Sequence, residues 1–318
     1  MGESVDLISE TSPARRVRSA IGRIYRRLGP IEEACGDALR LLAFLSWTLL
    51  VRLKLSKKEI LVFNCGEGRE EEGFYAQLTV ILGLLEHFEK WGNVLAGVRV
   101  DFEDRGLYYD AAHGNNSWEY FFQPVDIGRQ TNADERTTTI FQEEQFATRG
   151  EHMPRSRALD LIERYIHIKP PILKKIDSFV RAYFEGFHVI GIHYRGTDKW
   201  TEAPRVSYED VRTAACAAIG AIDAGQYRLF VASDEQAFVD FMTSAFPDRV
   251  IIWETQRAVD GKPIDFRMEN NYKKGKDVVI DCVLLSRCHL LIRTSSHLGL
   301  FSTFFNPALP VVLLNHPY

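Results

Sequence analysis

Short apolar runs alternate with longer stretches of helical periodicity through most of this chain. Glu59-Ile60-Leu61-Val62-Phe63 predicts a buried strand, and Asn64-Cys65-Gly66-Glu67-Gly68-Arg69 a glycine-bearing turn after it. From Gly73-Phe74-Tyr75-Ala76-Gln77-Leu78 to Trp91 the apolar positions recur at helical spacing. Strand, glycine loop and helix are the opening unit of a doubly wound domain. Val98-Arg99-Val100-Asp101 predicts a second strand. Between Tyr108 and Gln145 the periodicity gives way to Asn, Gly, Thr and aromatic residues. That composition predicts irregular, surface-exposed structure, where acceptor-binding elements often sit.

The alternation resumes in the second half. Pro170-Pro171 separates two helices, and Ile172, Leu173, Ile176, Phe179, Val180 and Tyr183 trace one face of the second, which Gly186 can cap. Strands are predicted at 188–194, 228–232, 250–253, 289–293 and 310–314. Helices are predicted at 207–224, after a Ser233-Asp234 N-cap, at 277–288 and briefly after Ser296, with a polar loop over 254–276. Strands alternating with helices imply parallel sheets. The expected organisation is an N-terminal extension, 1–58, followed by two Rossmann-like α/β domains, 59–165 and 166–318, facing a cleft.

Composition narrows the class. The 318 residues are 46% hydrophobic and 26% charged, as in a soluble globular protein. A net charge of -4 gives no overall attraction to nucleic acid, so no nucleic-acid partner is expected. Cys35, Cys65, Cys216, Cys282 and Cys288 form neither a disulfide framework nor a zinc spacing, which fits a reducing, cytoplasmic setting. The extension differs from the rest. It carries Arg15, Arg16, Arg18, Arg23, Arg26 and Arg27 with no acid from Thr11 to Ile31, then the apolar run 41–51. That run is far shorter than the roughly 20 residues needed to span a bilayer. Two readings stay open for residues 11–58: peripheral contact with an anionic membrane, or a helix packed on the body of the protein.

Three strand ends of the second half carry polar chemistry. The first is His193-Tyr194-Arg195-Gly196-Thr197-Asp198-Lys199, running on to Glu202; the second is Ser233-Asp234-Glu235; the third is Arg293-Thr294-Ser295-Ser296-His297. In open parallel sheets ligands bind beyond the carboxyl ends of the strands. Arg195 offers a bidentate fork to phosphate and Lys199 a point charge. Helix N-termini after Ser233 or Ser296 offer N–H groups to an anion, and Asp234 suits a base or ribose edge. Convergence of the three loops would make a nucleoside diphosphate site. Asp101-Phe102-Glu103-Asp104 is an acidic run that could instead hold a metal or form a solvated turn.

The first of these segments resembles the His-x-Arg-Arg-Thr-Asp-Lys motif of the α1,6-fucosyltransferases and related protein O-fucosyltransferases, the bacterial nodulation fucosyltransferases among them. The likeness extends to Ile168-Lys169-Pro170, Val189-Ile190-Gly191-Ile192 and Thr201-Glu202-Ala203, with Ser233-Asp234 and 281–301 standing where the second and third motifs fall. It covers residues 155–315; the first 150 residues match only in plan, at the glycine loop of Gly66 and Gly68.

This resemblance implies a GT-B fold, an acceptor-side first domain and a nucleotide-sugar-binding second domain. It implies inverting, metal-independent transfer of fucose from GDP-fucose to a glycan or other hydroxyl acceptor, with no cofactor beyond that donor. It assigns Arg195 to the β-phosphate and His193 and Asp234 to the guanine. Ser295 or Ser296 would bind phosphate, Asp198, Lys199, Gly66 and Gly68 would shape the donor site, and Glu202 would be the catalytic base. The motif's second arginine is Gly196 here. That departure leaves open another GDP-sugar, or a GDP-sugar-binding protein with weakened catalysis.

Overall fold

The structure, a computed structural model, describes residues 59–63, 72–91, 95–102, 106–128, 136–140, 144–196, 203–222, 226–259 and 270–316. Packing divides the chain into a compact unit of 62–90, 98–127 and 139–318 and a smaller one of 1–61, 91–97 and 128–138. Four strands, β1 (Glu59–Phe63), β2 (Leu95–Val100), β3 (Asp126–Gly128) and β4 (Arg136–Ile140), form a sheet in the order β3-β2-β1-β4. Helix α1 (Phe74–Trp91) buries Phe74, Leu78, Ile81 and Leu85, the stripe that its sequence spacing predicts.

The stretch after β2 departs from expectation. Its aromatic residues are core: Trp118, Phe121 and Phe122 are fully buried, and Tyr108 and Tyr120 nearly so. The Phe74 ring stacks on Phe122 at 5.2 Å and on Trp118 at 5.9 Å, and meets Phe121 edge-on at 5.7 Å. Asn116 caps a short 3-10 turn by accepting from the Trp118 N–H, which turns these rings inward. Each buried ring contributes about 1.5–3 kcal/mol. A sugar-stacking surface is therefore not what Trp118, Tyr120, Phe121 and Phe122 make. Regular elements also occur here, in β4 and in α2 (Glu144–Glu151). Helices α3 (Arg155–Tyr165) and α4 (Pro170–Tyr183) follow, and Pro170 and Pro171 open α4, where missing N–H groups cost nothing.

The second sheet is built from β5 (His188–Tyr194), β6 (Tyr227–Ser233), β7 (Val250–Ile251), β8 (Leu290–Arg293) and β9 (Val311–Leu313). Its order is β7-β6-β5-β8-β9 and every pair is parallel. The chain winds outward from β5 to one side and then, from β8, to the other, so the topological switch lies at the ends of β5 and β8. The linking helices are α5 (Tyr208–Gly220), α6 (Gln236–Ala245), α7 (Asn271–Ser286) and α8 (His297–Phe305). Ile190, Ile192, Leu229, Val231, Phe238 and Met242 form part of the core against which this sheet is held.

Three boundaries differ from the sequence expectation. Helix α7 starts at Asn271 rather than near 277, because Lys274, Gly275 and Asp277 of its polar first turns are buried: Asp277 takes hydrogen bonds from Lys273 at 2.6 Å and from the Trp253 indole at 3.0 Å. Helix α5 begins as expected, with a Ser207–Asp210 capping box, but stops at Gly220. Helix α6 is capped at Glu235 with no side-chain bond, so Ser233-Asp234 is not its N-cap. Among the described residues no helix is long and apolar enough to cross a membrane. The segment 1–58, with its membrane reading, lies outside the described residues.

Candidate functional site

The carboxyl ends of β6, β5 and β8 lie side by side. His193 is level with Ala232 on β6 and with Arg293 on β8, and Tyr194 with Ser233. Past the strand ends the loops lock together. The Thr294 N–H donates to the His193 carbonyl at 3.1 Å, and the Arg195 N–H donates to the Thr294 hydroxyl at 3.0 Å. Backbone is thus exchanged between the first and third loops before any ligand arrives.

The second loop holds the first through one carboxylate. Asp234 places Oδ2 3.1 Å from Arg195 Nε, and its Oδ1 accepts from the Gly196 N–H at 3.1 Å. Glu235 follows, buried, accepting the Tyr208 hydroxyl at 2.7 Å, while its N–H donates to Ser233 Oγ at 3.1 Å. A Cβ on Gly196 would stand 2.5 Å from the Glu235 carboxyl carbon. The space beside residue 196 is therefore filled by an acid.

In the third loop Ser296 is the N-cap of α8, its hydroxyl accepting from the Gly299 N–H at 3.0 Å. The same hydroxyl lies 3.3 Å from His193 Nδ1. The Ser295 N–H donates to Asn315 Oδ1 at 2.6 Å, and Asn315 in turn donates to the Pro204 carbonyl at 2.7 Å. His297 reaches away from these groups to Glu151, at 2.6 Å on α2.

Burial holds the His193 imidazole down to about 3, helped by the charges of Arg293 and Arg195, so the ring is neutral. Arg293 itself falls to about 10 through burial and the nearby Arg155 charge. Burial raises the Tyr108 phenol to about 12, against the pull of the Arg195 charge. Tyr108 thereby belongs to the electrostatic surroundings of Arg195, although its sequence context suggests only a surface loop.

Asp281 opens the stretch 281–301 singled out from the sequence, where it carried no role of its own. It is buried in α7, its Oδ1 makes no hydrogen bond among the described residues, and burial raises it to about 8 against the Arg257 charge. The signal for it was present: a lone acid inside Val278-Val279-Ile280-Asp281-Cys282-Val283-Leu284.

Of the residues singled out from sequence, His193, Arg195, Asp234 and Ser296 are joined in one hydrogen-bonded arrangement, with Ser295 on the same loop. Gly66, Gly68, Asp198, Lys199 and Glu202 lie outside the described residues. Asp101 continues β2, its N–H donating to the Phe63 carbonyl at 3.0 Å; Glu103 and Asp104 lie outside the described residues. Among the described residues no cluster of three or more His, Cys, Asp and Glu side chains gathers to hold a metal.

Fold and loops together define a doubly wound domain of the GT-B type, with polar loops converging at its switch point. The chain resembles the α1,6-fucosyltransferases in both fold and sequence. NodZ α1,6-fucosyltransferase co-crystallised with GDP superposes at a TM-score of 0.52, with 16% identity, over 83% of this chain and 98% of that one. Fucosyltransferase NodZ from Bradyrhizobium gives 0.53 and 16% over 81% of this chain and 95% of that one. In sequence, nodulation protein Z of Bradyrhizobium diazoefficiens is 29% identical over 168 residues, 49% of this chain and 45% of the relative. Nodulation protein Z of Sinorhizobium fredii is 27% identical over 139 residues, 41% and 43% of the two chains. The matched stretch thus spans under half the length of these curated relatives. No protein-family model matches the chain.

Proposed function

We propose that this protein is an inverting glycosyltransferase that moves fucose from GDP-fucose to a hydroxyl acceptor, without a metal. The observation that carries the reading is Arg195, held by Asp234 across two strand ends and beside the neutral His193 and the N-terminus of α8. NodZ α1,6-fucosyltransferase has been crystallised with GDP and soaked with GDP-fucose, which favours that donor.

Breaking the bond between the sugar carbon and the diphosphate leaves negative charge on the departing GDP. A guanidinium fixed before the reaction stabilises that charge without reorganising. Arg195 fills this role on the β-phosphate, with Ser295, Ser296 and the first N–H groups of α8 as further donors. Both Asp234 oxygens are engaged by residues 195 and 196, so its first part is to aim Arg195 rather than to read guanine. His193 presents a neutral ring to the nucleotide.

The acceptor oxygen forms its bond to the sugar carbon on the face opposite the leaving GDP, and its proton passes to Glu202, which lies outside the described residues. Residues 59–165 serve the acceptor and 166–318 the donor. For the basic segment 11–58 two readings stand, contact with an anionic membrane surface and a helix packed on the body of the protein.

A thermal-shift panel with GDP, UDP, ADP, GDP-fucose and GDP-mannose, each with and without EDTA, tests the reading. A guanine-selective shift that survives EDTA supports it; a UDP-only or EDTA-sensitive shift overturns it. One observation favours a second reading, a GDP-sugar-binding protein with weakened catalysis: Glu235 fills the space beside Gly196. GDP-fucose binding without turnover or transfer would select it.

A further inference from the structure

A second guanidinium stands beside His193. Arg293 ends β8 and pairs in register with His193 on β5, so the two side chains leave the sheet on the same face and at the same level. Their closeness is read off at the first turn of α8. A Cβ placed on Gly299 would meet Arg293 Cδ at 2.9 Å, His193 Nδ1 at 3.3 Å and Ser296 Oγ at 3.4 Å, so all three crowd one space.

Arg293 has no counter-ion among the described residues. Its Nε is buried with no hydrogen-bond partner, and the one charge that acts on it is another cation, Arg155. Arg293 is partly buried, and holding a cation with its stem nitrogen away from water and without a partner is costly. The positive end of α8 adds to that cost, and the charges of Arg293 and Arg195 both act on the His193 imidazole. Arg195 is already paired with Asp234, so Arg293 is the cation beside the neutral ring that an entering anion would neutralise.

We propose that Arg293 is the second phosphate-binding cation of the donor site, standing in for the arginine that the family motif carries where this chain has Gly196. The inference rests on the GDP-sugar reading and adds a residue to it. A side chain at position 196 would have to displace the Glu235 carboxylate, which fills the adjoining space. The neighbouring strand supplies the charge from the other side of His193. A diphosphate, spread over two phosphorus centres, matches two cations on adjacent strands better than a single phosphate does.

The test compares guanosine, GMP and GDP binding by calorimetry to the full chain, as wild type, Arg293→Met and Arg293→Lys, together with the melting temperature of each without ligand. The expected result is that Arg293→Met loses at least tenfold in GDP affinity and little in guanosine affinity, collapsing the preference for GDP over GMP. Arg293→Lys should restore part of that preference. Ligand-free Arg293→Met should melt at or above wild type, since an unpaired, partly buried charge is gone, and its GDP binding should depend less on salt. A wild-type GDP-to-GMP ratio in a folded Arg293→Met protein, or an Arg293→Lys protein that loses the preference as fully as Arg293→Met, overturns the inference and leaves a packing residue. Wild-type protein that binds no GDP overturns the donor reading itself, and the inference with it.

Discussion

Arg195 Nε and Asp234 Oδ2 stand 3.1 Å apart at the ends of neighbouring parallel strands, 39 residues apart in the chain. The contact grips the guanidinium from its stem side while the same carboxylate takes the Gly196 N–H. An arginine aimed in this way before substrate binds needs no reordering as charge develops on a leaving phosphate.

Arg195→Ala is expected to lower kcat/KM for GDP-fucose by about 10²- to 10³-fold with the fold intact. Arg195→Lys should recover little, because one ammonium cannot reproduce the planar fork. Steady-state transfer assays beside circular dichroism check both; near-normal turnover in the alanine variant would remove Arg195 from the mechanism.

Asp234→Asn keeps an acceptor for the Gly196 N–H but loses the charge that aims Arg195. Donor KM should rise about tenfold. Stability should change by less than about 1 kcal/mol, since Arg195 is 38% exposed and water screens the pair. Chemical denaturation alongside KM measurements separates the two effects.

Gly196→Ala should destabilise the protein by about 1–3 kcal/mol, since its methyl group would meet the Glu235 carboxylate at 2.5 Å and push it off the Tyr208 hydroxyl. Glu235→Ala should relieve much of that cost, so the double variant should be less destabilised than the two changes summed. Additive losses in a double-mutant cycle would mean that the two residues do not compete for space.

His193 imposes a pH dependence on the acid side. Its folded pKa of about 3 lies below the ordinary value of 6.5, so the unfolded chain binds the proton more readily. The stability it contributes is complete above pH 6.5 and is lost as pH falls toward 3, by at most about 1.4 kcal/mol per pH unit. His193→Gln should flatten that limb of the melting temperature against pH.

Asp281 acts with the opposite sign. Its folded pKa of about 8 lies above the ordinary 3.8, so the native state holds the proton and its contribution fades as pH rises from about 4 to 8. Asp281→Asn should melt above wild type at pH 8 and match it more nearly at pH 4. An unchanged difference across that range would mean that the carboxyl is ionised in the native protein.

By itself the sequence determined the strands of the second sheet and the residues at their ends. A run such as Val189-Ile190-Gly191-Ile192 can be little other than a strand buried on both faces, and the polar residues after it must emerge at its carboxyl end. The Ser207 and Ser296 caps were legible for the same local reason, a hydroxyl two or three residues ahead of the N–H groups it serves.

Only the tertiary structure decided what those residues meet. Asp234 belongs to Arg195, Glu235 to the space beside Gly196, and Arg293 to the face of His193 because β6, β5 and β8 pair in one register, and pairing between distant strands leaves no local pattern. The aromatic stretch around Trp118 became core, and α7 began more than a full turn early, for a related reason. Side chains without helical or strand periodicity are buried when distant elements close over them, and α1 and α7 supply that closure through Phe74 and Gly275.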